Sequence, residues 1–453
     1  MEAFDPSVTL PFSYTFTTAT SSRSSGTIAS PNNIITTGSS WMDGRIWSKL
    51  PQRLLDRVIA FLTPPAFFRA RCVCKRWYGL LFSPTFLELY LQVSPRRYWF
   101  LFFKQKSLNN SIYRSNDNNS SAGDPQNDNR SSSPTTCEGF LFDPYDLSWY
   151  RISFPTLLPP GFSPAASSDG LVCWVSYEAG PKTLILCNPM VGSLTPLPPT
   201  LRSRLFPSVG LAVTPTSIDV TMAGDDLISP YAVKNLTAES FHMDGGGFYS
   251  IWGTSSSLPR LCSFESGKMV HVEGRFYCMN YSPYSILAHD ISSNSWWKIQ
   301  APMRRFLRSP NLVESRGKLL LVAAVEKSQL NVPKSLRLWG LQSCGTTWVE
   351  LERMPQQLYV QFAELENGNG FHCVGNGEFI AIMIPGTEQK AVLFDMSRKR
   401  WHWIPPCPYV NGGVGRGGGE LHGFAYEPRL ATPVTGLLDQ LTLPFQSYNN
   451  INV

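Results

Sequence analysis

One phrase recurs along this sequence after residue 137: an apolar run ends at Asp or Asn, a polar turn follows, and a Trp or large apolar residue comes a few positions later. It runs from Phe142-Asp143-Pro144 to Trp149, from Cys187-Asn188-Pro189 to Leu194, from His289-Asp290 to Trp297, from Leu338-Trp339-Gly340 to Trp348 and from Phe394-Asp395 to Trp403. A less regular member leads from Ala212-Val213 to Phe248-Tyr249. The closing residues are about 45–55 positions apart, the length of a four-stranded propeller blade. Six blades then account for residues 137–453, and Gly423-Phe424-Ala425-Tyr426 is expected to pair near Gly139-Phe140, closing the ring and removing its sheet edges. No helical pattern stands out between these strands, which disfavours a parallel sheet with covering helices. Two stacked sandwiches are the rival all-β arrangement. Trp149, Trp297, Trp348 and Trp403 fall at repeated blade positions and are read as structural.

The N-terminal part has another character. Residues 1–40 are rich in Ser, Thr, Pro and Asn, and in 107–136 Ser and Asn fill 15 of 30 positions; both are read as disordered, the second as a flexible insertion or linker. Between them, 41–90 reads as a small helical module and 91–106 as the connection into the propeller. Pro51 opens a helix carrying Leu54, Leu55, Val58, Ile59 and Leu62, and Thr63-Pro64-Pro65 stops it. Phe67, Phe68, Cys72 and Val73 continue towards Cys74-Lys75-Arg76-Trp77, followed by Leu80, Leu81 and Phe82. Three short helices make a thin core, so a protein partner is expected to cover part of their apolar surface. Residues 45–106 carry twelve Lys or Arg against Asp56 and Glu88, a net of +10; the whole chain is +6, and the remainder is therefore −4. An acidic partner for the module follows more directly than a general affinity for nucleic acid.

Catalysis finds little support. The six histidines, at 242, 271, 289, 372, 402 and 422, are dispersed, and no HExxH, G-x-S-x-G, P-loop or dinucleotide fingerprint occurs. The glycine groups at 245–247, 412–413 and 417–419 lack phosphate-cradling neighbours and read as turns. The ten cysteines form no CxxC pair and no disulfide framework. No cofactor and no metal are expected. Glu2 and Asp5 do not suit a secretory signal, and no segment approaches a membrane span. The triplets at Asn118, Asn119 and Asn235 are therefore read as chance, and a soluble protein of the nucleus, the cytoplasm or both is expected.

Leu50-Pro51, Leu54-Leu55, Val58-Ile59, Leu62, Arg71-Cys72-Val73-Cys74-Lys75-Arg76-Trp77 and Leu80-Leu81 together resemble the F-box. That resemblance implies docking to a SKP-type adaptor and through it to a cullin, with Leu50, Pro51, Leu54, Ile59, Leu62, Lys75 and Trp77 as adaptor contacts and Leu55 and Val58 in the module's own core. The repeats after 137 look like the Kelch-type propellers of plant F-box proteins, so the expected fold is an all-β six-bladed propeller preceded by an all-α F-box module. Residues 45–51, 67–77 and 234–240 carry a closer resemblance to the floral-regulator branch of that family. It implies a partner-recruiting subunit of an SCF ubiquitin ligase acting with a LEAFY-type transcription factor in floral meristem, petal and stamen identity. The alternative it implies is a transcriptional co-regulator that joins that factor on DNA independently of degradation. Arg304, Arg305 and Arg308, around Phe306-Leu307 in an expected loop, are the candidate contacts to backbone phosphates; Arg398-Lys399-Arg400 is the weaker one.

Overall fold

In the computed structural model the described residues are 49–105 and 138–441, apart from 154–157, 159–160, 178–179, 205–206, 226–235, 246–250, 261, 263–266, 282, 327–333, 386–389, 411–419 and 440. The expected disordered stretches 1–40 and 107–136 lie outside them. The chain divides into two compact units, with the boundary between Arg96 and Arg97.

The first unit is helical. Gln52–Ala60 follows Pro51, Pro64–Arg71 starts on its own two prolines, Lys75–Tyr78 is a single turn continued by the 3-10 turn Gly79–Phe82, and Pro84–Val93 completes the unit. The last helix was not anticipated from the sequence; at its start the Ser83 hydroxyl accepts from the Phe86 amide at 3.4 Å as an N-cap. Ile59, Ala60, Phe67, Phe68, Leu80, Phe86 and Tyr90 make the core. Arg76 ties the third helical turn to the first helix through both oxygens of Asp56, at 2.6 and 2.7 Å.

The second unit has six four-stranded antiparallel sheets. From inside outwards, blade one is Glu420–Tyr426, Trp99–Gln105, Glu138–Asp143 and Ser148–Ser153; blade two Phe162–Ser168, Leu171–Ser176, Leu184–Asn188 and Ser193–Pro196; blade three Ser208–Val213, Ser217–Asp225, Leu236–Asp244 and Trp252–Thr254. Blade four is Val270–Val272, Arg275–Asn280, Ser285–Asp290 and Ser295–Gln300; blade five Leu307–Ser315, Lys318–Val325, Ser335–Leu341 and Trp348–Arg353; blade six His372–Asn376, Phe379–Met383, Ala391–Asp395 and Arg400–Trp403.

The recurring phrase has a local cause. Its Asp or Asn ends the third strand and caps the turn: Asp143 accepts from the Tyr145 amide, Asn188 from Met190, Asp290 from Ser292 and Ser293, and Asp395 from Ser397 and Arg398. The Trp then stands on the outermost strand and donates its indole N–H to the preceding blade's exit: Trp149 to the Pro405 carbonyl at 2.8 Å, Trp252 to Pro198 at 2.7 Å, and Trp348 to Gln300 at 2.9 Å. In blade four it is Trp296, one residue before the expected Trp297, that does the same, to the Ser255 hydroxyl at 2.8 Å. In blade three the phrase therefore closes on Trp252, while Phe248-Tyr249 falls outside the described residues.

Two expectations are corrected. Ring closure does not join residues 423–426 to 139–140. The strand Trp99–Gln105 lies between them, pairing Phe100 with Ala425 on one side and with Phe142 on the other. The expected connector 91–106 is thus split between the last helix and a blade. Trp99 to Phe103 are all at most 2% exposed, because an unbroken apolar run suits a strand covered on both faces. Second, a helix, Gln356–Glu366, does stand between blades five and six. Tyr359, Phe362 and Glu366 bury one side of it and Asn367, left-handed at φ 45°, ends it.

Candidate partner-binding surfaces

The helix Gln52–Ala60 and the turn after it carry apolar residues on two sides. Leu55, Ile59 and Leu62 face inward, Ile59 being only 4% exposed and the other two half-buried. Leu54, Val58 and Phe61 follow one another at the spacing of one helix face and are 48%, 42% and 48% exposed. Val73, Tyr78 and Phe82 add further exposed apolar area in the same unit. Such a group of large apolar side chains on a small module is the mark of a docking surface.

Of the expected adaptor contacts, Leu54, Pro51 and Lys75 are exposed, and Leu50, Leu62 and Trp77 are half-buried. Ile59 is corrected: it belongs to the module's core. Val58, assigned to that core from the sequence, is exposed, and so is Phe61, which did not stand out in the sequence. The basic character is on the surface as well, with Arg53, Arg57, Lys75 and Arg76 exposed, so an acidic partner would be drawn to this unit.

In the propeller, strand direction sorts the connections. Links from one blade's outermost strand to the next innermost strand, and those between second and third strands, emerge at one end. Among the described residues the links at that end include 301–306 and 354–371 whole, and 197–204, 255–260 and 404–410 in part. The opposite end carries tight turns such as 169–170, 273–274, 316–317 and 396–399. Loop length, and with it room for specific recognition, is concentrated at the first end.

The three arginines of 304–308 separate there. Arg304 and Arg305 are exposed in the turn before blade five, flanked by Met303 and Phe306, 40% and 37% exposed. Arg308 is not available to a phosphate: its Nε donates to Glu326 Oε1 at 2.7 Å and its Nη1 to Glu366, which is 1% exposed. Burial alone would raise the Glu366 carboxyl, but the Arg308 hydrogen bond and charge, with the Gly370 and Gly368 amides, bring it below its ordinary value. Arg308 therefore anchors the helix Gln356–Glu366 to blade five and is withdrawn as a DNA-contact candidate. Arg398 and Lys399 sit in a tight turn at the other end, where Arg398 pairs with Asp395 at 3.3 Å, and Arg400 opens the strand that follows. Arg260 is exposed in the long link before blade four, and Lys298 donates to its carbonyl at 3.3 Å. Neither stood out in the sequence, because single basic residues carry no pattern.

Chemistry-bearing groups elsewhere pair with one another. His242 Nδ1 lies 2.6 Å from Asp219 and is held charged to higher pH chiefly by that hydrogen bond. Among the described residues no three His, Cys, Asp or Glu side chains could hold a metal ion together, and none of the nine described cysteines is disulfide-bonded.

The F-box domain model matches residues 47–89, and the KIB1-4 beta-propeller model matches residues 141–363. The chain is 63% identical over 450 residues to Protein UNUSUAL FLORAL ORGANS of Arabidopsis thaliana, covering 97% of this chain and 97% of that one. It is 43% identical over 427 residues to Protein ABERRANT PANICLE ORGANIZATION 1 of Oryza sativa subsp. indica, covering 88% of this chain and 92% of that one. An F-box/kelch-repeat protein of Arabidopsis thaliana is 26% identical, over 84% of this chain and 89% of its own.

Proposed function

The chain belongs to the plant F-box propeller proteins that include UNUSUAL FLORAL ORGANS and ABERRANT PANICLE ORGANIZATION 1, and on that footing we propose that it is the non-catalytic, partner-recruiting subunit of a cullin-based SCF ubiquitin ligase. The observation that carries this reading is the second apolar face of the first helix, Leu54, Val58 and Phe61, which the module's own core does not use. A SKP-type adaptor with acidic surroundings would cover that face and complement the exposed basic residues beside it. The propeller then presents its long-looped end to the recruited protein, a LEAFY-type transcription factor acting in floral meristem, petal and stamen identity. Isothermal titration of purified adaptor into the full chain tests the first half of the proposal: saturable binding is expected, and no binding by the folded chain would overturn it.

A second reading, in which the protein joins such a factor on DNA independently of degradation, is favoured by Arg304 and Arg305. Both are exposed at the long-looped end, as is Arg260 in the link before blade four. Phosphate contacts of this kind add affinity without base discrimination, and they would place the protein in the nucleus. Replacing Arg304 and Arg305 with Ala should weaken the ternary complex with factor and DNA while leaving factor binding without DNA unchanged. The salt slope of the ternary complex should fall by roughly 0.9 for each phosphate that is no longer neutralised. Gel-shift titrations at two salt concentrations check this. Equal affinity and slope for wild type and double variant would remove the loop from the account.

A further inference from the structure

The six innermost strands of a propeller surround a central channel, and here that channel holds a separate group of basic side chains. Lys268 stands just before the innermost strand of blade four, bridged at its backbone to Val209 of blade three. Its side chain crosses to blade one, opposite in a ring of six. There Nζ donates to the Gly423 carbonyl and lies 3.9 Å from the centre of the Phe424 ring. His422 is on the same closing strand, and its ring centre is 5.9 Å from that of His372, which opens the innermost strand of blade six. His372 and Lys390 also line one cleft between blades six and one. All these positions are at or near the long-looped end of their strands.

The electrostatics are unusual for a surface accessible to water. Lys268 is exposed to water, yet burial by surrounding protein pulls its ammonium down to about 7. A side chain that reaches water along the channel axis while protein packs around most of it reconciles the two, since few water molecules can then solvate the charge. Burial first, then the charges of Lys268 and His372, push His422 down to about 4. His271, in the middle of blade four's innermost strand, is lowered by burial against the opposing pull of Asp219. Among the described residues no carboxylate acts on Lys268. A solvated surface lysine would suffer none of this penalty, and a methionine would fill the channel without it.

We propose that this end of the channel is a binding site for a compact oxyanion of the phosphate class, gripped by Lys268, His422 and His372. A phosphate offers two negative charges and several acceptor oxygens to one ammonium and two imidazoles, whereas a carboxylate offers one charge and two oxygens. To bind it, Lys268 exchanges the neutral Gly423 carbonyl for a charged acceptor while its stem stays beside Phe424. Inorganic phosphate and the phosphomonoester of a phosphorylated side chain share this chemistry.

The test uses the full chain in complex with its adaptor, or alone if the two do not associate. Calorimetric titration with inorganic phosphate at pH 7.5, against chloride of matched ionic strength, should show saturable binding with proton uptake, because Lys268 and the histidines must gain protons to hold the anion. Lys268→Met should weaken binding at least tenfold, with a thermal midpoint in chloride equal to or above the wild type's. His422→Gln should weaken it several-fold and serves as the second variant should Lys268→Met not fold. O-phosphoserine in a parallel titration separates the sources: binding as tight as phosphate points to a phosphorylated side chain, and weaker binding to the free ion. Absence of saturable phosphate binding by the wild type, or unchanged binding by the folded variants, overturns the proposal.

Discussion

Replacing Leu54 and Phe61 with Ala is expected to abolish co-purification of the SKP-type adaptor while leaving the fold intact. Both side chains are 48% exposed, so truncating them removes little from the module's own core. In a small interface each would be among the few anchors that dominate affinity. Burying a large apolar side chain is worth about 1.5–3 kcal/mol, so losing two costs roughly 3 kcal/mol or more, a hundredfold in affinity. Ile59→Ala is the control with the opposite signature: it opens a cavity in the module's core, where Ile59 is only 4% exposed, and should cost about 2–5 kcal/mol of stability. Circular dichroism beside the binding titration distinguishes the two. Unchanged adaptor affinity in the folded Leu54/Phe61 variant would mean the exposed helix face is not the docking surface.

Arg308→Ala should destabilise the propeller by about 3–5 kcal/mol, the cost of leaving a buried carboxylate without its counter-charge. Glu366 is 1% exposed and would retain backbone donors such as the Gly370 amide, while the exposed Glu326 would rehydrate. The local consequence is loosening of Gln356–Glu366 from blade five, visible as faster amide exchange in that helix. The pH dependence has a definite sign. The folded Glu366 carboxyl lies below its ordinary value of 4.5, so its contribution is present above that pH and is lost as pH falls through the lower folded value. The stability gap between wild type and Arg308→Ala should therefore narrow in acid. Adding Glu366→Gln to Arg308→Ala should recover part of the loss at neutral pH, since the two residues are directly coupled. Urea denaturation across that pH range measures all three, and a gap that widens in acid would contradict the pairing.

The blades were legible in the sequence because the phrase that marks them encodes local chemistry: an Asp or Asn capping its own turn, and a Trp a few residues on. Where structure depends on distant partners, the sequence carried less. Trp99–Gln105 pairs with strands that begin at Glu138 and Glu420, and its neighbour in sequence, the Ser- and Asn-rich stretch, suggested a boundary where a blade strand ends. Arg308 looked like one of three loop cations, yet its partners Glu326 and Glu366 lie 18 and 58 residues away. The helix Gln356–Glu366 did leave a signal: Pro355 before it, Tyr359, Phe362 and Glu366 on one side, and Asn367-Gly368 after it. It was masked by the strength of the β pattern around it. The assignment of Ile59 and Val58 failed for a different reason. Leu54, Val58 and Phe61 form one apolar face and Leu55, Ile59 and Leu62 another, and helical period alone cannot say which of two apolar faces turns inward.

Two independent surfaces on one chain, one for the adaptor and one for the recruited factor, are the core of this account. Size-exclusion chromatography of the full chain mixed with purified SKP-type adaptor and a LEAFY-type factor tests it most directly. The account predicts one peak containing all three proteins, and a Leu54/Phe61 double-Ala variant that drops the adaptor while keeping the factor. Mutually exclusive binding of adaptor and factor, or loss of both together from a folded variant, would contradict it.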